Sequence, residues 1–316
     1  MAKKALSITA ALLLLLSLYF FWPGGEAAVV IKEGSGASQI AEQLKSAGVI
    51  RSSTWFKVLV RLTGTDKRIM PGEYFFRRGS SSEEVLWRLI NTPYISDVKV
   101  VIPEGWRLEQ VAERLEANGV TSRDEFIKLA KERELEGYLF PSTYSFKKGQ
   151  PAQDVLNLLK SEFDRQIRPL FSEGFPPGLD EKKVLIVASI VEREAVVTSE
   201  RPLIAAVYLN RIKKRMPLEA DPTTQYALGY WKKRLTYKDL RTPSPYNTYY
   251  AKGLPPGPIC SPGKASVEAV LRPANIDALY FVADRQGKHV FNVSFKEHLK
   301  AKKRVEAAAK EAGIDW

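Results

Sequence analysis

The chain has 316 residues and a hydrophobic share of 45%, which suits two or three globular units. Lys and Arg total 48 against 36 acidic residues, and this net charge of +12 suits a polyanionic neighbourhood such as anionic lipid or an acidic wall polymer. The single cysteine excludes an internal disulfide, and no Cys or His spacing resembles a metal site. No nucleic-acid-binding signature is present, so we expect no nucleic acid, no metal and no cofactor.

The N-terminus reads as a membrane anchor. Lys3 and Lys4 precede an uncharged run over 5–22, which is close to the shortest length that spans a bilayer. The basic flank predicts a cytoplasmic tail at 1–4 and a single-pass protein of the cytoplasmic (inner) membrane, with the bulk extracytoplasmic or periplasmic. A cleavable signal peptide is the alternative, and the poor cleavage sequence at 25–27 disfavours it.

The chain then repeats itself after about 70 residues. The run Val29–Gly34 recurs as Val100–Gly105, and Tyr74–Gly79 recurs as Tyr144–Gly149. Each half reads as a short β run, a glycine turn and an amphipathic helix. We therefore expect two related α+β units, at 28–98 and 99–169, that either bind a ligand or act as spacers.

Two carboxylates interrupt an apolar helical run over 184–197. Glu192 and Glu194 point to nearly opposite sides of a helix, and Glu194 shares the valine stripe. A carboxyl group held against apolar neighbours has a raised pKa, as a general acid at neutral pH requires. The alternative is that both glutamates form ordinary ion pairs with Lys183, Arg193 or Arg201.

The region 170–316 is predicted to be a C-terminal α+β domain. Its proline-rich loops carry aromatic, amide and hydroxyl side chains, which suit either a sugar site or well-packed connections. Leu279–Ala283 and His289–Asn292 predict a β-hairpin. Cys260 with His289 could form a nucleophilic pair, but a lone cysteine is more often a small buried hydrophobe.

These segments resemble a known family, the endolytic murein transglycosylases of the YceG-like kind. The resemblance spans nearly the whole chain, and its motifs are Glu104–Trp106, Gly137–Pro141, Ala188–Glu194, Val207–Arg211, Asp221–Thr223, Tyr246–Tyr249, Gly253–Gly257 and Tyr280–Ala283. It implies a C-terminal catalytic transglycosylase domain behind the membrane anchor and tandem LysM-like α+β units.

The resemblance also implies a reaction on peptidoglycan in cell-wall biogenesis. Such enzymes cut the β-1,4 bond between N-acetylmuramic acid and N-acetylglucosamine in nascent glycan strands. The products end in 1,6-anhydro-N-acetylmuramic acid, and cutting limits strand length. The family's catalytic glutamate maps to Glu194, which Ala195 follows where many lytic transglycosylases have Ser or Thr. Peptidoglycan synthases (penicillin-binding proteins) of the membrane are the implied protein partners.

Around Glu194 we expect substrate-positioning residues from the motifs and loops. The candidates are Glu200, Asn210, Asp221, Thr223, Gln225, Tyr246, Asn247, Thr248 and Tyr249. Two other functions stay open. One is a hydrolytic muramidase in which Asp221 or Glu200 activates water, and the other is a peptidoglycan-binding scaffold without catalysis.

Overall fold

The computed structural model describes residues 25–91, 97–284 and 287–311, and the chain divides into two units after Asp97. The described residues form twelve α-helices and three two-stranded antiparallel sheets, an α+β structure. The further domain boundary expected near residue 170 lies within the second unit and stays a prediction.

The first unit is a strand–helix–helix–strand–helix arrangement. Its elements are β1 (Glu26–Ile31), α1 (Ala37–Ser46), α2 (Ser53–Thr63), β2 (Gly72–Arg77) and α3 (Ser82–Asn91). Every second residue of β1 is buried, so one face of the β1–β2 pair covers the apolar stripes of the helices.

The second unit begins with the same arrangement. Its elements are β3 (Val98–Ile102), α4 (Leu108–Ala117), α5 (Arg123–Glu132), β4 (Ser142–Phe146) and α6 (Ala152–Gln166). Equivalent tyrosines make the same bond in both units: the Tyr74 hydroxyl donates to the Met70 carbonyl at 2.7 Å, and Tyr144 to Phe140 at 2.6 Å. The two runs of elements therefore share one order, whereas the division into units at 28–98 and 99–169 and their LysM likeness stay predictions.

The rest of the second unit is built around one buried helix. Its elements are α7 (Glu181–Glu194), α8 (Arg201–Lys213), α9 (Asp221–Leu228), α10 (Tyr237–Leu240), α11 (Lys264–Leu271), β5 (Tyr280–Ala283), β6 (His289–Asn292) and α12 (Phe295–Glu311). The Asp180 carboxylate caps α7 by accepting from the Lys183 N–H at 2.9 Å. All eight residues of 184–191 are buried, and α7 packs on α8 and α11.

Three local expectations meet different outcomes. The β5–β6 hairpin is confirmed, with Phe281 opposite Phe291. The glutamate helix ends at Glu194 rather than at residue 197, because Ala195 adopts an extended conformation. The segment from Asp221 is a helix rather than a loop, since proline is tolerated in the first turn and an acidic residue is favourable there.

The prediction of a transmembrane helix needs correction. No helix in the described ranges is both long enough and apolar enough to cross a membrane. The longest of them, α12, has 17 residues and is rich in lysine and glutamate, whereas a span needs about 20 apolar residues. The anchor expected at 5–22 lies outside the described residues. The single-pass membrane localisation that rested on it is therefore not upheld.

We expect Gly137→Ala to destabilise the second unit more than Gly149→Ala. Both glycines have positive φ, +85° and +69°, so alanine is strained at either by about 1–2 kcal/mol. A Cβ at Gly137 would also lie 2.5 Å from the Pro258 Cβ, whereas Gly149 faces open space. Overpacking should add about 1–3 kcal/mol to the loss at Gly137 in urea unfolding. Equal losses would show that the Pro258 contact carries no strain.

Candidate active site

Glu194 is the last residue of α7, and its partly buried carboxyl lies beside a buried tyrosine. Tyr208 projects from α8, is only 2% exposed, and donates its hydroxyl proton to Glu194 Oε1 at 2.8 Å. The edge of the Phe281 ring packs against Tyr208 with centroids 5.9 Å apart. The orientation of the Glu194 carboxyl is therefore fixed by a side chain that cannot itself move freely.

Burial dominates the electrostatics of this carboxyl. Loss of water contact raises the pKa of Glu194 to about 7, and the nearby Asp221 charge acts in the same direction. The Tyr208 hydrogen bond and the Arg193 charge oppose the rise. A carboxyl with this pKa is partly protonated at neutral pH, so it can both donate and accept a proton.

The carboxyl opens into a cavity of about 240 Å³, which we call the Glu194 cavity. It is lined by Glu194, Tyr208, Arg211, Leu218, Glu219, Asp221, Tyr249, Phe281 and His298. Asp221 begins α9 and accepts a hydrogen bond from the Tyr249 hydroxyl at 2.7 Å. Two of the predicted binding residues, Asp221 and Tyr249, therefore share a cavity with Glu194.

Arg211 links the cavity wall to the hairpin. Its Nε donates to the Leu279 carbonyl at 2.7 Å, and its Nη1 donates to the Leu218 carbonyl at 3.0 Å and to Glu219 Oε2 at 3.2 Å. The guanidinium also lies 5.1 Å from the centre of the Tyr280 ring. These bonds hold the turn before α9 against β5.

Several lining residues were not among the sequence candidates. The cavity is completed by Tyr208, Arg211, Leu218, Glu219, Phe281 and His298. Tyr208 and Arg211 belong to the same motif as the candidate Asn210, and Phe281 belongs to the predicted strand, so the signal was present. The helical spacing of Tyr208 and Arg211 could have placed them on one face, opposite to that of Asn210.

Three candidates instead form a buried hydrogen-bond network between α9 and the loop that follows α10. The Thr223 and Thr248 hydroxyls lie 2.8 Å apart, and Thr248 also accepts from the Ala220 N–H at 2.9 Å. The Asn247 amide donates to the Leu240 and Thr242 carbonyls at 3.0 and 2.9 Å. Because their polar atoms are bonded internally, these side chains fix the backbone that carries Asp221 and Tyr249.

The other four candidates also lie outside the Glu194 cavity. Asn210 donates to the Ile276 carbonyl at 2.8 Å, and Gln225 bonds both backbone groups of Lys232. Tyr246 packs on Tyr226, with ring centroids 4.7 Å apart. Glu200 accepts from the backbone N–H of His289 at 3.1 Å and pairs with its Nδ1 at 2.7 Å.

Glu192 occupies a different environment from Glu194. Its side chain is 6% exposed and pairs with the Arg201 guanidinium at 3.1 Å. Its second oxygen accepts from the Gly263 N–H at 2.9 Å and the Ser266 hydroxyl at 2.8 Å, at the start of α11. The ion-pair alternative thus describes Glu192, whereas Glu194 contacts a tyrosine and a cavity.

Cys260 and His289 do not pair. The Cys260 thiol is fully buried, burial raises its pKa, and its Sγ donates to the Ser189 carbonyl at 3.3 Å. His289 is held by Glu200 as described above. Within 25–91, 97–284 and 287–311, no group of three or more His, Cys, Asp and Glu side chains could hold a metal ion.

Comparisons with known proteins all match the chain to one family. A sequence model of the YceG-like family matches residues 29–304. The "Endolytic murein transglycosylase" of Bacillus subtilis (strain 168) is 34% identical over 300 residues, covering 87% of this chain and 83% of that protein. The protein of the same name from Streptococcus pneumoniae (serotype 2, strain D39 / NCTC 7466) is 29% identical over 85% of this chain, which spans 56% of its length.

The fold has a counterpart among solved structures. A crystal structure of a yceG-like protein from Listeria monocytogenes is 32% identical in sequence and matches with a TM-score of 0.57. The match covers 88% of this chain and 99% of the Listeria chain. The similarity therefore extends over both units rather than over the glutamate motif alone.

The Glu194 carboxyl should destabilise the folded protein at high pH. The pKa of Glu194 is about 7 in the folded protein against 4.5 when unperturbed. The stability that its protonated form contributes is therefore fully present below about pH 4.5 and is lost as the pH rises through about 7. We expect Glu194→Gln to be about 1–3 kcal/mol more stable than the wild type at pH 8. The gap should vanish near pH 4.5. Chemical unfolding at both pH values tests this, and a gap independent of pH would contradict it.

Proposed function

Because the chain belongs to the YceG-like family, we propose that it is a lytic transglycosylase that cuts peptidoglycan glycan strands endolytically. The bond cut is the β-1,4 link from N-acetylmuramic acid to N-acetylglucosamine. The observation that carries the proposal is the partly buried Glu194 carboxyl, with a pKa of about 7, held by Tyr208 at the edge of a polar cavity. The names of the Bacillus and Streptococcus relatives support the choice of substrate.

Glu194 carries both proton transfers in this proposal. Tyr208 occupies Oε1, so the transferable proton resides on Oε2. Glu194 gives this proton to the glycosidic oxygen, the bond from C1 of the muramoyl residue to that oxygen breaks, and positive charge develops at C1. The Glu194 carboxylate then takes the proton of the C6 hydroxyl as this oxygen attacks C1. The products are a 1,6-anhydro end and a free 4-hydroxyl, with no water consumed.

Asp221 and Tyr249 are the proposed substrate-facing partners. The Asp221 carboxylate shares the cavity with Glu194, so its charge favours the cationic transition state. Tyr249 holds this carboxylate through its hydroxyl. Glu200, Asn210, Thr223, Gln225, Tyr246, Asn247 and Thr248 are proposed to act through the loops they fix.

A hydrolytic muramidase is the second candidate, and the position of Asp221 favours it. Inverting glycosidases use one carboxylic acid and one carboxylate, the latter activating water. Asp221 lies in the same cavity as Glu194 and could take that second part. Asp221→Asn would then prevent reducing-end products, whereas a transglycosylase would keep making anhydro ends at a reduced rate.

The remaining parts of the proposal concern context. Internal cuts by this enzyme would shorten nascent strands and so limit their length. The two β-α-α-β-α segments, at the start of each unit, would act as LysM-like glycan-binding modules or as spacers. Peptidoglycan synthases, which make the strand, are the proposed protein partners.

We expect Glu194→Gln to abolish cutting, because glutamine can accept the Tyr208 hydrogen bond but cannot transfer a proton. Glu192→Gln is the matched control, two residues away on the same helix, and should retain much of the activity at some cost in stability. Mass spectrometry of uncrosslinked glycan strands after incubation with each purified protein measures this.

Internal fragments with 1,6-anhydro ends from the wild type and Glu192→Gln alone would support the assignment. Full activity in Glu194→Gln would refute the role of Glu194. Reducing ends would favour the muramidase, and intact strands that still bind would favour the scaffold.

Tyr208→Phe should move the alkaline limb of the pH profile upwards. In the wild type, the Tyr208 hydrogen bond lowers the pKa of Glu194. Without this bond the pKa rises above the wild-type value of about 7, so the acid stays protonated to a higher pH. Rates of anhydro-end formation from pH 5 to 9 give the limb. Tyr250→Phe, at a residue 60% exposed, is the control and should leave the limb in place. A downward shift in Tyr208→Phe would contradict the proposed hydrogen-bond effect.

A further inference from the structure

A second cavity in the same unit, of about 210 Å³, carries exposed aromatic rings. We call it the Trp231 cavity. Trp231 and Tyr230 follow α9 and are 62% and 56% exposed, although large aromatic side chains are usually buried at least in part. From α4, the polar side chains of Glu109 and Glu113 also line the cavity. Aromatic rings together with a few hydrogen-bonding side chains form a lining that suits a sugar ligand.

The aromatic loop is fixed before any ligand binds. The Gln225 amide donates to the Lys232 carbonyl at 2.8 Å and accepts from the Lys232 N–H at 2.9 Å. The Arg107 guanidinium donates at 2.9 Å to the carbonyl of Gly229, the residue that precedes the two aromatic residues in the chain. The Arg193 guanidinium lies 4.8 Å from the centre of the Trp231 ring. A ring held in this way loses little conformational entropy on binding, which favours affinity.

The charges of this cavity favour an uncharged ligand. Arg107 and Arg193 contribute two positive charges, and Glu109 and Glu113 contribute two negative ones. An anionic or cationic ligand would meet a like charge on one wall. A neutral sugar ring can stack on Trp231 while its hydroxyl and amide groups bond the charged side chains.

The Trp231 cavity adjoins the Glu194 cavity through two pairs of consecutive residues. Arg193 lines the Trp231 cavity and Glu194 lines the other, and likewise Pro222 and Asp221. The two cavities therefore lie on either side of the contact between the end of α7 and the start of α9. A polymeric substrate can occupy both, whereas a single sugar cannot.

We propose that the Trp231 cavity is a distal subsite that holds an uncharged sugar ring of the glycan strand, away from the bond that Glu194 cuts. The identity of the ligand rests on the proposed function, whereas the geometry of the cavity does not. The subsite secures a strand that extends on one side of the cut, as an internal cleavage requires.

Binding of uncrosslinked glycan strands to the full chain carrying Glu194→Gln tests the subsite without cleavage. Adding Trp231→Ala should weaken the Kd about tenfold, and adding Trp231→Phe should largely restore it. Tyr237→Ala is the control, because Tyr237 is 85% exposed and lies outside both cavities. The disaccharide of N-acetylglucosamine and N-acetylmuramic acid should bind equally well with and without Trp231.

Three results would overturn the subsite. One is an unchanged Kd for strands in Trp231→Ala, and another is an equal loss with the disaccharide. The third is a loss seen only with strands that keep their stem peptides, which would assign the cavity to peptide. Product analysis with the wild type is a separate readout: strands bound at Trp231 but never cut would refute the proposed function and leave the subsite standing.

Discussion

The burial of α7 is the constraint on which the rest of the site depends. Eight consecutive residues of this helix are shielded from water, so its position and rotation are set by packing on α8 and α11. Glu192 fixes the rotation further, because it bonds Arg201 at the start of α8 and Gly263 and Ser266 at the start of α11. With Glu192 held there, Glu194 faces the other side, where a buried hydroxyl and a cavity meet it.

The polar residues around the cavity divide into those that line it and those that hold it. The Thr248 hydroxyl accepts from the Ala220 N–H, and the Asn247 amide donates to the Leu240 carbonyl, so both side chains satisfy backbone groups of the loops. Their effect on chemistry is indirect, through the positions of Asp221 and Tyr249. A loss of either hydroxyl at the threonine pair would therefore alter geometry before it altered reactivity.

The sequence predicted the features that local pattern controls. The repeat, the β5–β6 hairpin and the unusual carboxyl at Glu194 all follow from periodicity or from a charge within an apolar run. The hydrogen bond to Glu194 comes from Tyr208, fourteen residues further on, and a charge that helps to raise its pKa comes from Asp221 on α9. No periodicity brings these residues together. The polar loop residues were expected at the ligand, but several satisfy backbone groups instead. The proline after Asp221 led us to predict a loop, although proline is also tolerated in the first helical turn.

In the proposed mechanism, the cavity that Glu194 shares with Asp221 lets one carboxyl serve as acid and then as base. Before the reaction, burial and, to a smaller extent, the Asp221 charge raise the pKa of Glu194 to about 7 and so favour its protonated form. After donation, two carboxylates line the same cavity, a state that is unfavourable unless a cation lies near them. The developing charge at C1 supplies that cation. As the C6 oxygen neutralises C1, the repulsion returns and draws the hydroxyl proton to Glu194. In this proposal, the electrostatics that favour the protonated acid also favour the second step, which restores it.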